Sequence, residues 1–211
     1  IPSEMPMPTW IWIDIQNRVQ EFHLDGKPKS NQELDFRGEL RKTNLEIEFY
    51  IKNQPSSNNS KELRNALGSF ATGVTIVTAL DTDQNPIGMT VNSFNSVSLT
   101  PPLILWSISR DSNCFDDFIK AETFAVHVLN HGQEDLSNRF AESGGDKFLG
   151  LSLESGSNNT PILPDFSACF ECKTEHQYDG GDHIILVGRV ISFEDRGTDP
   201  LVFYRGQYTR I

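Results

Sequence analysis

The stretch "GMTVNSFNSVSLTPP", residues 88–102, has an irregular alternation of apolar and polar side chains. The even positions from Thr90 to Ser98 are almost all polar, whereas the odd positions are apolar at both ends and are interrupted by Ser93 and Asn95. A period of two is typical of a β-strand with one buried face. The interruption therefore predicts two short strands joined by a polar kink, where backbone N–H groups lie beside small hydroxyl groups.

The polar side chains at such a kink need hydrogen-bond partners, because a buried polar group without one costs about 1–3 kcal/mol. Two interpretations meet this need. In the first, the side chains bond to one another and to buried water. In the second, they bind a polar, planar ligand. The residues alone leave both interpretations open.

The sequence on either side of this stretch predicts many short strands with small helices between them. The β-branched run "VTIVTAL" and the apolar run "PPLILWSIS" are typical of buried strands. Residues 165–194 predict two strands around a glycine turn. Short helices are predicted in 61–73 and 132–141, and a helix followed by a strand in 112–130. The chain lacks the alternation of strands and helices found in doubly wound folds. It is therefore predicted to be mainly β, with an antiparallel barrel.

A polar run, "NQPSSNNSKE" at 53–62, divides the sequence into two parts. We expect a small β-strand appendage of unknown role over 1–52, a linker over 53–60 and the main domain over 61–211. Alternating isoleucines in "WIWIDIQ" and alternating apolar residues in "TNLEIEFYIK" predict two or three strands in the appendage. So small a unit should pack against something larger to be stable.

Composition limits the classes of partner. The 211 residues carry a net charge of −11, which disfavours nucleic acid and anionic membranes as partners. There is no apolar run long enough to span a membrane, and the first ten residues lack the features of a signal peptide. Three cysteines give no disulfide framework, which fits a reducing compartment. We expect a cytoplasmic protein.

Several stretches together resemble the flavin reductase-like family of short-chain NAD(P)H:flavin oxidoreductases. They follow in order over about 61–211 and include "RNALGSFATG", "GMTVNSFNSVSLTPPLILWSISRDS", "FAVHVLN", "GDHIILVGRV" and "PLVFYRGQY". Members of this family serve as small components of two-component flavin monooxygenases. The resemblance implies the FMN-binding split barrel, a Greek-key antiparallel β-barrel with short helices. It also implies a homodimer with flavin bound near the subunit interface.

The resemblance implies a set of residues that bind the flavin cofactor, FMN or FAD. Four consecutive residues of the kink would contact the flavin ring: Thr90, Val91, Asn92 and Ser93. Ser96 would approach the ribityl chain or phosphate, and the end of the following strand would border the flavin through Ser107, Ile108 and Ser109. Arg110 and Ser112 are the cation and the hydroxyl available for the phosphate.

A second set would lie on the side of the nicotinamide, which belongs to the co-substrate NADH or NADPH. The glycine–aspartate–histidine motif of the family corresponds to Gly181, Asp182 and His183, and the resemblance makes His183 the catalytic residue. Tyr204 would lie near the same opening. Each residue also has a purely structural interpretation. Asp182 suits a turn, a single histidine in a strand is often structural, and Arg110 could be an ordinary surface charge.

Two further features of the sequence carry no role in the predicted site. His127 stands where the family usually has asparagine, so no function is transferred to it. Cys169, Cys172 and His176 resemble metal ligands in their spacing. However, the two cysteines are an odd number of residues apart in a strand and should face opposite ways, and a fourth ligand is missing. We therefore predict no metal site.

The function implied by the resemblance is hydride transfer from nicotinamide C4 to flavin N5, with the protein stacking and aligning the two rings. Reduced flavin would then leave to supply a separate flavin-dependent monooxygenase. The alternative is a non-catalytic flavin carrier or redox sensor on the same barrel, which would need no nicotinamide site. A third interpretation, an oxidase of a phosphorylated pyridine ligand, fits the motifs less well.

Overall fold

A computed structural model of the chain describes residues 54–210, together with the backbone of four short strands nearer the N-terminus. These strands are β1 (Ile11–Ile13), β2 (Val19–Glu21), β3 (Glu39–Thr43) and β4 (Glu46–Tyr50). β1 pairs with β2 and β3 with β4, both antiparallel. The segment 9–52 thus holds four strands where the sequence predicted two or three. The apolar side chains predicted to share its faces lie outside the described residues.

The chain divides into two compact units, Ile1–Leu63 and Arg64–Ile211. A 3₁₀ turn at Ser57–Asn59 lies within the predicted linker and is followed directly by helix α1 (Ser60–Leu67). None of the helices in the described part of the chain is both long and apolar enough to cross a membrane.

The larger unit is built mainly from antiparallel strands. After α1 its strands and helices are, in chain order, β5 (Thr72–Gly73), β6 (Thr75–Leu80), β7 (Pro86–Val91), β8 (Asn95–Leu99), β9 (Pro102–Ser109), α2 (Phe115–Lys120), β10 (Thr123–Val128), α3 (Glu134–Ala141), β11 (Glu154–Ser155), β12 (Pro161–Ile162), β13 (Ala168–Asp179), β14 (His183–Asp195), β15 (Val202–Tyr204) and β16 (Gln207–Thr209). The prediction of a mainly β protein with short helices is confirmed. The predicted pair of strands on either side of a polar kink is also confirmed, as β7 and β8.

Seven strands form one sheet in the order β7-β6-β10-β13-β14-β9-β8, and each neighbouring pair is antiparallel. The two edge strands, β7 and β8, are consecutive in the chain and are separated only by residues 92–94. So short a connection spans at most about 14 Å, so the sheet must curl until its edges approach each other at the kink. Among the described residues no ladder joins the two edges, and the sheet is open.

Both faces of β6 are buried, which explains why its sequence does not alternate. Val77 and Ala79 face an inner cluster that includes Trp106. Ile76 faces a second cluster, which includes Phe140. Burial of a large apolar side chain is worth about 1.5–3 kcal/mol. The two clusters therefore stabilise the sheet from both faces, one inside the curl and one on the side of α3. Two smaller sheets, β11-β12 and β16-β15-β5, complete the unit.

Candidate functional site

The polar kink is joined to β9 by a pair of hydrogen bonds through one serine. Ser93 Oγ accepts a hydrogen bond from the backbone N–H of Ser107 at 2.9 Å and donates one to the Ser107 carbonyl at 3.2 Å. Nearby, Thr90 Oγ1 donates to the Ser137 carbonyl at 2.7 Å, which ties β7 to α3. These two hydroxyls therefore have backbone partners, and neither bonds to another side chain of the kink. Asn92 is exposed.

The end of β9 presents a line of small polar side chains on its outer face. Trp106 and Ile108 are fully buried in the inner cluster, so Ser107 and Ser109, which alternate with them, face the other way. Their Cα atoms lie about 7 Å apart by the rise of a strand. His183, the first residue of β14, is the ladder partner of Ser109. The structure thus brings Ser107, Ser109 and His183 onto one face, and Ser93 bonds to the backbone of Ser107.

Two of the predicted flavin contacts can act only through their backbone. The side chains of Val91 and Ile108 are buried in the inner cluster, with at most 7% of their surface exposed. Ser96, on the edge strand β8, is exposed and is the ladder partner of Ile104, whereas Asn95 pairs with Leu105. Ser93 bonds to Ser107, near the end of β9, whereas Ser96 pairs with Ile104 in the middle of that strand. Ser96 therefore lies further than Ser93 from the end of β9.

The turn between β13 and β14 carries the glycine–aspartate–histidine motif, and its backbone conformation favours a glycine at position 181. Gly181 has a φ of +82°, which glycine adopts without the strain that a Cβ would cause. Its N–H donates to Asp179 Oδ1 at 3.0 Å, and the Gly180 N–H donates to the His183 carbonyl at 2.9 Å. The N–H of Gly181, helped by Arg110, lowers the pKa of the Asp179 carboxyl. The turn therefore presents a carboxylate at each end.

His183 is oriented by the residue before it. Its Nδ1 lies 2.7 Å from Asp182 Oδ1, and this contact lowers the pKa of the Asp182 carboxyl. Since an ionised carboxylate only accepts hydrogen bonds, Nδ1 is the donor. The Nε2 atom is then the ring nitrogen left to meet a ligand. With 43% of its side chain exposed, His183 is accessible from solvent.

Arg110 follows β9 and reaches the same turn. Its backbone N–H donates to the Asp182 carbonyl at 3.0 Å, and its Nε donates to the Gly181 carbonyl at 3.0 Å. Its Nη2 lies 3.3 Å from Asp179 Oδ1. The structure therefore brings Arg110, the residue predicted to bind the flavin phosphate, to the turn that precedes His183.

A cavity of about 360 Å³ adjoins the kink on the α3 side. Thr90 and Ser112 line it, together with the end of α3 and the loop after it, from Phe140 to Phe148. A Cβ on Gly88 would lie 2.7 Å from the Phe140 ring, so glycine is needed for β7 to approach α3 this closely. The volume lies in the range of small-molecule pockets. Apolar walls and hydroxyl groups suit part of a flavin, so the residues present fit the cofactor that the sequence implies.

Lys147 is a residue of this cavity that the sequence did not indicate. Its Nζ donates to the Phe140 carbonyl at 3.0 Å and to the Gly88 carbonyl at 3.4 Å, which leaves one of its three N–H groups free of these contacts. It is the one basic residue among those lining the described cavity, whereas the acidic ones are Asp111, Asp117, Glu142 and Asp146. No periodicity marks Lys147, because it lies in a polar loop.

Within one chain, Tyr204 lies far from His183. Tyr204 belongs to the sheet β16-β15-β5, in which Val202 pairs with Gly73, two residues before Thr75. Thr75 pairs with Val128 on β10, Val128 pairs with Ala168 on β13, and Ala168 pairs with Asp195 on β14. Asp195 is the last residue of β14 and His183 is the first. Tyr204 therefore lies on the side of the unit where β14 ends, whereas His183 lies where β14 begins.

The candidate metal ligands are separated by the fold. Cys172 lies in the inner cluster, and Cys169 lies in a different cluster with Phe166. Burial raises the pKa of each thiol to about 12, which keeps both protonated at neutral pH. Among the described residues there is no group of three or more His, Cys, Asp and Glu side chains that could hold a metal ion.

A family model described as the flavin reductase like domain matches residues 67–211. The chain is 47% identical over 156 residues to an FMN reductase (NADH), SmoA, of Agrobacterium fabrum, an alignment that covers 74% of this chain and 88% of the relative. It is 44% identical over 151 residues to the reductase component of the flavin-dependent trigonelline monooxygenase of Acinetobacter baylyi. That alignment covers 72% of this chain but only 49% of the relative.

The fold has a counterpart of known structure. The NADH:FAD oxidoreductase SgcE6 of Streptomyces globisporus, solved in complex with NAD and FAD fragments, aligns with a TM-score of 0.70 and 34% sequence identity. The alignment covers 76% of this chain and 97% of the other. The family-model match, at residues 67–211, falls on the unit that carries Ser107, Ser109 and His183.

Proposed function

This chain belongs to the flavin reductase-like family, and from that premise we propose that it transfers a hydride from NADH or NADPH to FMN or FAD and delivers the reduced flavin to a separate monooxygenase. One observation carries the proposal. Ser107 and Ser109, at the end of β9, lie beside His183 on the neighbouring strand β14. Residues suited to a flavin and to a nicotinamide therefore share one face. The relatives named as reductases support the same activity.

Each residue of the site has a distinct task. Ser93 holds the kink against β9, and Thr90 holds β7 against α3, so backbone groups at Val91 and Asn92 stay in place for the flavin. Ser107, Ser109 and Ser112 would offer hydroxyls to it. A bound flavin supplies the electron-accepting ring. His183, fixed by Asp182, would orient the nicotinamide, and alignment of two rings is the main source of rate in such a transfer.

We also propose the finer architecture: a split barrel over residues 61–211 that forms a homodimer, with 1–52 as an appendage. The curled sheet supports the barrel, because its edge strands are joined by three residues. Large apolar side chains on the surface of the larger unit support the dimer. Leu99 is 92% exposed and Phe193 is 71% exposed. A second subunit would also offer another copy of Tyr204, which lies far from His183 in its own chain.

The test is a flavin-dependent turnover assay with a site variant. Oxidation of NADH or NADPH should be measured by absorbance at the nicotinamide band, with and without added FMN or FAD, for the wild type and for His183→Ala. We expect consumption only with added flavin. The variant should have a higher KM for the nucleotide or a lower kcat at unchanged flavin affinity.

The same assay distinguishes the alternative function. Flavin binding without consumption of either nucleotide would indicate a carrier or redox sensor. Loss of flavin binding in His183→Ala, to the same extent as loss of turnover, would make that histidine structural. His131→Ala is a suitable control, because His131 is exposed and lies outside the site.

A further inference from the structure

We infer that Arg110 is a positioning residue for the nicotinamide nucleotide: it holds the turn before His183 in place. This inference rests on the proposed function for its effect on turnover. The sequence pointed instead to the flavin phosphate as the partner of Arg110. The geometry points to the turn, because the arginine contacts three of its residues: Asp179, Gly181 and Asp182.

The turn has little else to hold it. All residues from His176 to Asp182 are exposed, and the pairing of β14 with β9 ends at His183. The contacts that the turn makes within itself join Gly180 to His183 and Gly181 to Asp179. An exposed turn with two glycines has many alternative conformations, so contacts from outside the turn restrict it most. Arg110 supplies three such contacts from the end of β9.

The guanidinium is the group that makes these contacts specific. Nε and Nη2 are fixed in one plane, and they bond at the same time to the Gly181 carbonyl and to the Asp179 carboxylate. A lysine has one charged nitrogen on a flexible chain and cannot reproduce this fork. The Asp179 carboxylate also offsets the positive charge of the Arg110 guanidinium, which makes this side chain less suited to bind a phosphate. Held in this way, the turn keeps Asp182 in place, and Asp182 fixes Nδ1 of His183.

The inference predicts that nucleotide binding and flavin binding respond differently to substitution of Arg110. Arg110→Ala and Arg110→Lys keep the backbone bond to Asp182 but lose the paired guanidinium contacts to Gly181 and Asp179. Each should raise the KM for NADH by roughly three- to tenfold, in the range expected for loss of two exposed charge-assisted contacts. The Kd of FMN and of riboflavin, measured without nucleotide by quenching of flavin fluorescence, should change less than about twofold. Riboflavin lacks the phosphate, so the pair of flavins isolates any phosphate contact.

Arg196→Lys is the matched control. Arg196 also combines a carboxylate partner, Glu194, with a backbone carbonyl, that of Pro164, but it follows the other end of β14. The KM for NADH should be unchanged in this variant. Three results would overturn the inference: an unchanged KM in Arg110→Ala, wild-type behaviour of Arg110→Lys, or a loss of affinity for FMN that riboflavin does not share. The last would assign Arg110 to the phosphate.

A second measurement does not depend on turnover. Amide hydrogen exchange at Gly180 and Gly181, followed by NMR, should be faster in Arg110→Ala than in the wild type, while amides of the inner strands β6 and β10 should be unaffected. Equal exchange at the turn in both proteins would show that Arg110 does not hold it. If the wild type failed to oxidise NADH, the proposed function would fall, and this comparison would still decide the role of Arg110.

Discussion

His127 is a fully buried imidazole with a backbone partner for each ring nitrogen. Nδ1 lies 3.1 Å from the Ile76 carbonyl, and Nε2 lies 3.2 Å from the backbone nitrogen of Leu163. A carbonyl can only accept and an N–H can only donate, so the ring is neutral, with its proton on Nδ1. It joins β10 to β6 and to the segment after β12. The position where the family usually has asparagine therefore has a structural role in this chain.

Protonation of His127 should destabilise the fold. Burial, opposed in part by the Ile76 carbonyl, lowers its pKa from 6.5 to about 4. Between these values the unfolded chain binds a proton that the folded chain does not. Stability is therefore highest above pH 6.5 and falls as the pH drops towards 4, by about 3 kcal/mol from this group. Urea unfolding of the wild type at pH 7 and pH 5 should show the loss.

Substitution identifies the group responsible. His127→Asn removes the titration and should reduce the difference in unfolding free energy between the two pH values, whereas His131→Asn should retain it. His131 is exposed. An unchanged pH dependence in His127→Asn would show that carboxylates, and not this imidazole, cause the loss.

At the scale of single elements, β14 depends on a glycine in its middle. Gly188 is buried between its ladder partners Thr174 on β13 and Ile104 on β9. A Cβ there would lie 2.5 Å from Phe124 Cζ and 2.9 Å from Cys172 Cβ. Cys172 Cβ is fixed by its backbone and cannot move away by a change of rotamer. Glycine thus lets the sheet curl tightly around the aromatic side chains of the inner cluster.

Gly188→Ala should destabilise the protein by about 1–3 kcal/mol through overpacking of the core. Gly73→Ala is the control: Gly73 is also in a strand, and a Cβ on it would have nothing within 4 Å. It should change the free energy of unfolding by no more than about 0.5 kcal/mol. Thermal or urea unfolding of the two variants measures the difference. Equal effects would mean that the sheet adjusts around the added methyl group.

For the whole molecule, several large apolar side chains are exposed on the surface of the larger unit. Ile191 and Phe193 lie two residues apart near the end of β14 and are 48% and 71% exposed. On the edge strand β8, Val97 and Leu99 are exposed as well. Large exposed apolar patches commonly mark interfaces between proteins. These four side chains are the basis for the proposed homodimer.

Introducing charge into this surface should weaken the dimer. We expect the wild type to be a dimer at micromolar concentration by light scattering, and Phe193→Asp to shift it towards monomer, because a carboxylate is costly to bury without a partner. Leu149→Asp is the control, since Leu149 is 73% exposed in the loop after α3. A wild type that is active as a monomer would contradict the proposed assembly.

Local pattern was enough to predict most of the strands of the larger unit. Period-two alternation and its interruption predicted β7, the kink and β8, and β-branched runs predicted the buried strands, because side-chain direction in a strand depends only on neighbouring residues. The resemblance to the flavin reductase-like family indicated Ser93, Ser107 and His183. Ser107 and His183 lie near strand ends and are brought together by the ladder between β9 and β14. Ser93 lies between β7 and β8 and bonds to the backbone of Ser107.

Tertiary structure alone decided which residues meet at the candidate site. It placed Arg110 on Asp179 and Gly181, brought Lys147 to the cavity, and separated Tyr204 from His183 by the length of β14. Such contacts depend on strand order and register across the whole sheet. These are selected by the sum of burial and hydrogen bonding over many distant residues, which no short stretch of sequence encodes.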